Sequence, residues 1–83
     1  MLDIQIRLFA RYRELVGHDT LTVSLPEGST AGDAFSKVTA LHPELAPLQA
    51  STLLAIDSDF VKPLAILHDG DELKLMPPVS GGA

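Results

Sequence analysis

The chain has 83 residues, enough for one small domain, and 46% of them are apolar, chiefly aliphatic, with three Phe and one Tyr. Eleven acidic residues against six basic ones give a net charge of −5, the wrong balance for gripping a phosphate backbone, so nucleic-acid binding is not expected. There is no cysteine, which excludes disulfides, thiolate metal sites and a cysteine nucleophile.

An acidic domain is steered toward basic partner surfaces, or is simply kept soluble by its charge. Asp3 and Arg7 interrupt the first apolar stretch, so no signal peptide is expected. No apolar run reaches bilayer-spanning length, so neither is a membrane segment. The expected compartment is the cytoplasm.

Leu2, Ile4, Ile6 and Leu8 alternate with Asp3, Gln5 and Arg7, the period of a half-buried strand. Leu21, Val23 and Leu25 alternate with Thr22 and Ser24 in the same way. The intervening ARYRELVGHDT is too long for a tight hairpin, and its helix formers predict a turn of helix ended by Gly17, with the two strands antiparallel around it. Next, PEGST breaks the second strand and opens a helix. Ser29 or Thr30 is placed to cap it, and Asp33 suits the positive end of its dipole. Ala31, Ala34, Phe35, Val38 and Leu41 recur at helical spacing as its apolar face, and His42-Pro43 ends it.

PELAPLQAS reads as a proline-punctuated connection. Leu53–Ile56 suits a short buried strand followed by turn chemistry at DSD, and FVKPL can form only a brief strand because Pro63 donates nothing to a ladder. A turn around Gly70 leads to a last alternating strand, with Leu73 and Leu75 against Glu72 and Lys74, that stops at Met76-Pro77-Pro78. One main helix and about five strands predict an α+β domain in which the helix covers one face of a single mixed sheet, the ubiquitin-like β-grasp. The division expected is a folded domain over residues 1–76 and a tail over 77–83.

No side-chain constellation supports catalysis in place. His18, His42 and His68 are scattered among loops and helix ends without metal-ligand spacing. DSDFVKPLAILH begins like a calcium loop but lacks its glycine and ends in His68 where a bidentate glutamate is needed. Ser51, Ser58 and Ser80 have no nucleophile elbow, and no helix follows the terminal Gly-Gly to make it a phosphate loop. No metal is expected.

What remains is the tail. The two prolines end the strand and send the chain out in extended form, and Ser80, Gly81 and Gly82 have little steric bulk. Glycine lets a backbone carboxylate enter a narrow site that a Cβ would obstruct, where an adenylating enzyme could activate it. Composition alone favours the plainer reading, an unstructured terminus.

Two stretches add a resemblance. LFARYRELVG, with Phe9, Ala10, Arg13, Glu14 and Gly17, and DGDELKLMPPVSGG, with Asp69 to Asp71, Pro77 to Val79, Ser80 and Gly81-Gly82, resemble the small subunit of molybdopterin synthase, a family of ubiquitin-like sulfur carriers. The likeness runs from the first strand to Gly82.

It implies no permanently bound cofactor. A partner of the ubiquitin-activating type would adenylate Gly82 with MgATP, and a sulfur donor would convert the acyl adenylate to a thiocarboxylate. The tail, Pro77, Pro78, Val79, Ser80 and Gly81, would then insert into the synthase large subunit within a heterotetramer. There the sulfur would pass to cyclic pyranopterin monophosphate. The small subunit would be a co-substrate more than a catalyst.

Phe9 and Met76 are expected near the root of the tail as an apolar docking patch. Leu75 beside them suits the core better, and Arg13 either bridges to a partner carboxylate or is simply solvated. The departure from the family pattern is Ala83, which ties the Gly82 carboxylate into a peptide bond. It is either trimmed from a precursor, added in cloning, or the mark of a chain that only binds. The competing functions are a carrier for thiamine or another sulfur-transfer pathway, and a ubiquitin-like interaction module without sulfur chemistry.

Overall fold

A computed structural model describes residues 1–78. Its strands are β1 (Leu2–Leu8), β2 (Thr20–Leu25), β3 (Leu53–Ile56), β4 (Asp59–Val61) and β5 (Glu72–Met76), and its helices are α1 (Ala10–Val16) and α2 (Ala31–Leu41). The strands form one sheet in the order β2-β1-β5-β3-β4. β1 and β5 run parallel in the middle, and every other neighbouring pair is antiparallel. The expected mixed five-stranded β-grasp is the architecture observed.

Alternation decides what each strand buries. Ile4, Ile6 and Leu8 on β1, Val23 and Leu25 on β2, Leu54 on β3, and Leu73 and Leu75 on β5 are buried together with Ala31, Ala34, Phe35 and Val38 of α2. All share the face that α2 covers, and this is the core. Aliphatic burial of this kind contributes about 1.5–3 kcal/mol per fully buried large side chain.

Thr30, one of the two predicted caps, makes a complete capping box. Its Oγ1 accepts from the Asp33 N–H at 3.1 Å, and its own N–H donates to Asp33 Oδ2 at 2.9 Å. The next two amides of α2 are met from the chain before β5. Ala31 N–H donates to the Ala65 carbonyl and Gly32 N–H to the Pro63 carbonyl, each at 2.8 Å. A Cβ at Gly32 would lie 3.1 Å from that carbonyl oxygen and from Pro63 Cβ, so the loop can approach this closely only where the helix has no side chain.

Three local expectations are corrected. The segment after β1 is a helix of seven residues, longer than a single turn; it closes as expected on Gly17, whose φ of 87° is left-handed and whose N–H donates to the Arg13 carbonyl. PELAPLQAS, read as a proline-punctuated connection with no helix assigned to it, is a 3-10 segment over Pro43–Ser51, with Pro43 in its first turn, where no amide donor is needed, and Leu45 wholly buried. Leu41 is 58% exposed and outside the core. At about 100° per residue it has drifted roughly 70° from the centre of the stripe set by residues 31, 34, 35 and 38, to its rim.

The capping box predicts that Thr30→Ala lowers the unfolding free energy by about 0.5–2 kcal/mol without changing the fold, measurable by urea denaturation.

Candidate functional site

Among the described residues there is no group of three or more His, Asp or Glu placed to hold a metal, and no enclosed pocket. What the fold does present is the sheet face opposite α2, built by the residues that alternation turns away from the core.

Two rows cross this face. The parallel register puts Leu8 beside Leu75, so Phe9 and Met76, one residue on, stand together where β1 and β5 end. The antiparallel register puts Leu53 opposite Met76 on the other side. Phe9, Met76 and Leu53 are all half-buried and form an apolar row at the level where the chain leaves the sheet. In the row below, Arg7 pairs with Lys74, Lys74 with Ala55, and Ala55 with Phe60, whose ring is 68% exposed.

Two cations frame the apolar residues. The Arg7 guanidinium carbon sits 5.7 Å from the centroid of the Phe9 ring, within the range of a cation–π contact. The same group reaches Glu72, Arg7 Nη1 to Glu72 Oε2 being 3.9 Å, a solvent-exposed pair that adds little stability. Lys74 folds its stem along the face and donates from Nζ to the Asp57 carbonyl at 2.6 Å.

The base of α1 is fixed from beneath. Tyr12 is wholly buried, and its hydroxyl lies 2.8 Å from Thr52 Oγ1. The Thr52 hydroxyl donates to the Leu48 carbonyl, so its lone pair is left for Tyr12 to donate into. This chain ties α1 to the end of the 3-10 segment and holds the turn of backbone that carries Phe9 and Arg13.

The sequence-predicted residues are distributed as follows. Phe9 and Met76 are brought side by side, whereas Leu75 is wholly buried under them as part of the core. Arg13 is exposed on α1 and makes no ion pair among the described residues. Pro77 and Pro78 are exposed and follow directly from the last strand residue, Met76. Val79, Ser80, Gly81, Gly82 and Ala83 lie outside the described residues.

Phe60, Leu53 and Arg7 share the face but were not singled out from the sequence. For Phe60 the signal was available, because a tight turn at Asp57-Ser58 fixes the pairing of Ala55 with Phe60 and therefore the side on which the ring emerges.

Comparison with known proteins places the chain in a family. Residues 6–82 match the ThiS family model. The molybdopterin synthase sulfur carrier subunit of Arabidopsis thaliana is 36% identical over 81 residues, covering 98% of this chain and 84% of the relative. The subunit of the same name from Chlamydomonas reinhardtii is 32% identical over 83 residues, covering 98% of this chain and all of the relative. Among solved structures, the small archaeal modifier protein 1 of Haloferax volcanii superposes with a TM-score of 0.88 at 25% identity, covering 95% of this chain and all of that one. With the family match running over nearly its whole length and ending at residue 82, the chain belongs to the ThiS family.

Proposed function

We propose that the chain is the sulfur carrier subunit of a molybdopterin synthase and that its reactive group is the main-chain carboxylate of Gly82. The observation that carries this reading is the near full-length identity to subunits of that name, in a family match that reaches residue 82. The fold alone does not choose it, since the small archaeal modifier protein 1 has the same architecture.

The chemistry asked of the chain is modest. A carboxylate is a poor electrophile. An activating enzyme of the ubiquitin-activating type would bring the Gly82 carboxylate against the α-phosphate of MgATP, release pyrophosphate and leave an acyl adenylate. The outer sulfur of a persulfide would then displace AMP to give an acyl disulfide. A thiol would reduce its S–S bond, leaving sulfur on the main-chain acyl carbon as a thiocarboxylate and the donor in a disulfide with that thiol. None of these steps calls for a catalytic side chain on the carrier.

What the carrier must supply is reach and access. Pro77 and Pro78 withhold two amide donors just after Met76, which stops β5 from recruiting the tail into the sheet. Gly81 and Gly82 keep the tail narrow enough to enter a partner's active site. In this reading the large subunit docks on the apolar row, with Phe9, Met76 and Phe60 as its anchors and Arg7, Lys74 and Arg13 at the rim. The tail threads from Met76 into that subunit's site, where sulfur passes to cyclic pyranopterin monophosphate. The cytoplasm, where such precursors and MgATP are found together, is the compartment proposed.

Ala83 has to be absent for this to operate, because a peptide carbonyl presents no oxygen anion to attack ATP. Two outcomes follow. With the activating enzyme and MgATP, the chain ending at Gly82 should support ATP–pyrophosphate exchange, while the chain retaining Ala83, whose terminal carboxylate sits beside a Cβ that a narrow site would exclude, should not. No exchange by the chain ending at Gly82 would remove Gly82 as the activated residue. Separately, Phe60→Asp or Met76→Asp should weaken binding to the large subunit by tenfold or more in titration calorimetry. The same substitutions should leave the thermal unfolding midpoint nearly unchanged, since neither side chain is in the core. Unchanged affinity in both variants would take the docking face away.

A further inference from the structure

The sheet ends in two edge strands, β4 and β2. The first is protected in the usual ways: it is three residues long, begins with Asp59 and is followed by Lys62-Pro63. The second is flanked by Asp19 and by Pro26-Glu27 but is longer and unprotected within itself. Thr20–Leu25 is six residues long and contains neither a charge nor a proline.

The register of β1 against β2 says which main-chain groups of β2 are unused. Leu8 N–H donates to the Asp19 carbonyl at 2.9 Å, and these two residues continue the pairing of Arg7 with Thr20. The directly bonded pairs therefore include Ile6 with Leu21, Ile4 with Val23 and Leu2 with Leu25. The N–H and C=O groups of Thr20, Thr22 and Ser24 point the other way, to the free edge. Among the described residues no main-chain hydrogen bond outside the β1–β2 ladder involves them.

We propose that this edge is completed by β2 of a second copy of the chain, antiparallel, with the two-fold axis at Thr22. The assignment rests on self-complementarity. With Thr22 opposite its own counterpart, Thr20 falls opposite Ser24, and these are the residues whose main-chain groups face outward, so each pair exchanges two hydrogen bonds.

Side chains match on both faces in the same register. Hydroxyl meets hydroxyl on the face away from α2, and half-buried Leu21 meets Val23 on the face toward it, favourable cross-strand pairings. Asp19 falls opposite Leu25, so no acid is set against an acid. The net charge of −5 on each copy opposes the approach at long range, so the dimer is weak and forms only at high protein concentration. Since β2 and β4 are opposite edges, pairing through β2 leaves Phe60 and the tail root open.

Sedimentation velocity of the full chain, followed to submillimolar concentration, tests this. The wild type should show concentration-dependent dimers. Thr22→Asp and Thr22→Lys should each remain monomeric, because each sets like charges face to face at the axis. An equimolar mixture of the two should associate again, as unlike charges then meet. Thr22 is exposed, so both variants should keep the wild-type circular dichroism spectrum and large-subunit affinity, which separates this edge from the docking face. Thr22→Pro, which removes an outward N–H and no bond to β1, should also be monomeric. A wild type that is monomeric throughout, single-charge variants that dimerise as the wild type does, or an edge occupied only by an extended peptide of another protein would each overturn the proposal.

Discussion

The parallel pairing of the first and last strands governs the rest of the molecule. β1 and β5 are the two central strands, and everything between them in sequence is a single long crossover. Closing so long a loop costs chain entropy that only burial can offset. The offset is concentrated in the two paired strands, where Ile4, Ile6, Leu8, Leu73 and Leu75 are at most 2% exposed. Because the pair is parallel, both strands end at the same pole. The last residue of β5, Met76, is therefore neighbour to Phe9, and the chain leaves from the middle of the sheet.

The same pairing divides labour by parity. On β5, Leu73 and Leu75 hold the core while Lys74 and Met76 face outward, and a slip of one residue would exchange the two sets. The residues that keep the chain folded and those on the outer face are thus interleaved along five positions, and Pro77 marks the point at which the sheet ends.

Much of this was legible in the sequence because it depends on local periods. Alternation located β1, β2 and β5, the Thr30–Asp33 spacing located the start of α2, and Gly17 closed α1. Beyond the antiparallel pairing of β1 with β2, strand neighbours were not legible, since the rest of the order β2-β1-β5-β3-β4 rests on contacts between residues distant in the chain. That is why Phe9 and Met76 could be placed near the tail but Leu53 and Phe60 could not be seen to share their face. The 3-10 segment was missed because two prolines suggest irregular chain, whereas one of them occupies a first-turn position and Leu45 anchors the segment in the core. The reactive end proposed at Gly82 rests on the wording of the tail and its resemblance, because a bare diglycine carries no structural signal of its own.

The central claim is that sulfur travels on the main-chain carbonyl carbon of Gly82. Intact-mass spectrometry of the protein isolated from its native host tests it most directly. The account predicts a population that has lost Ala83 and gained the mass difference of one oxygen replaced by sulfur, with fragmentation placing the sulfur on Gly82. Protein that retains Ala83 and stays unmodified, in cells where the activating enzyme and sulfur donor are active, would contradict it.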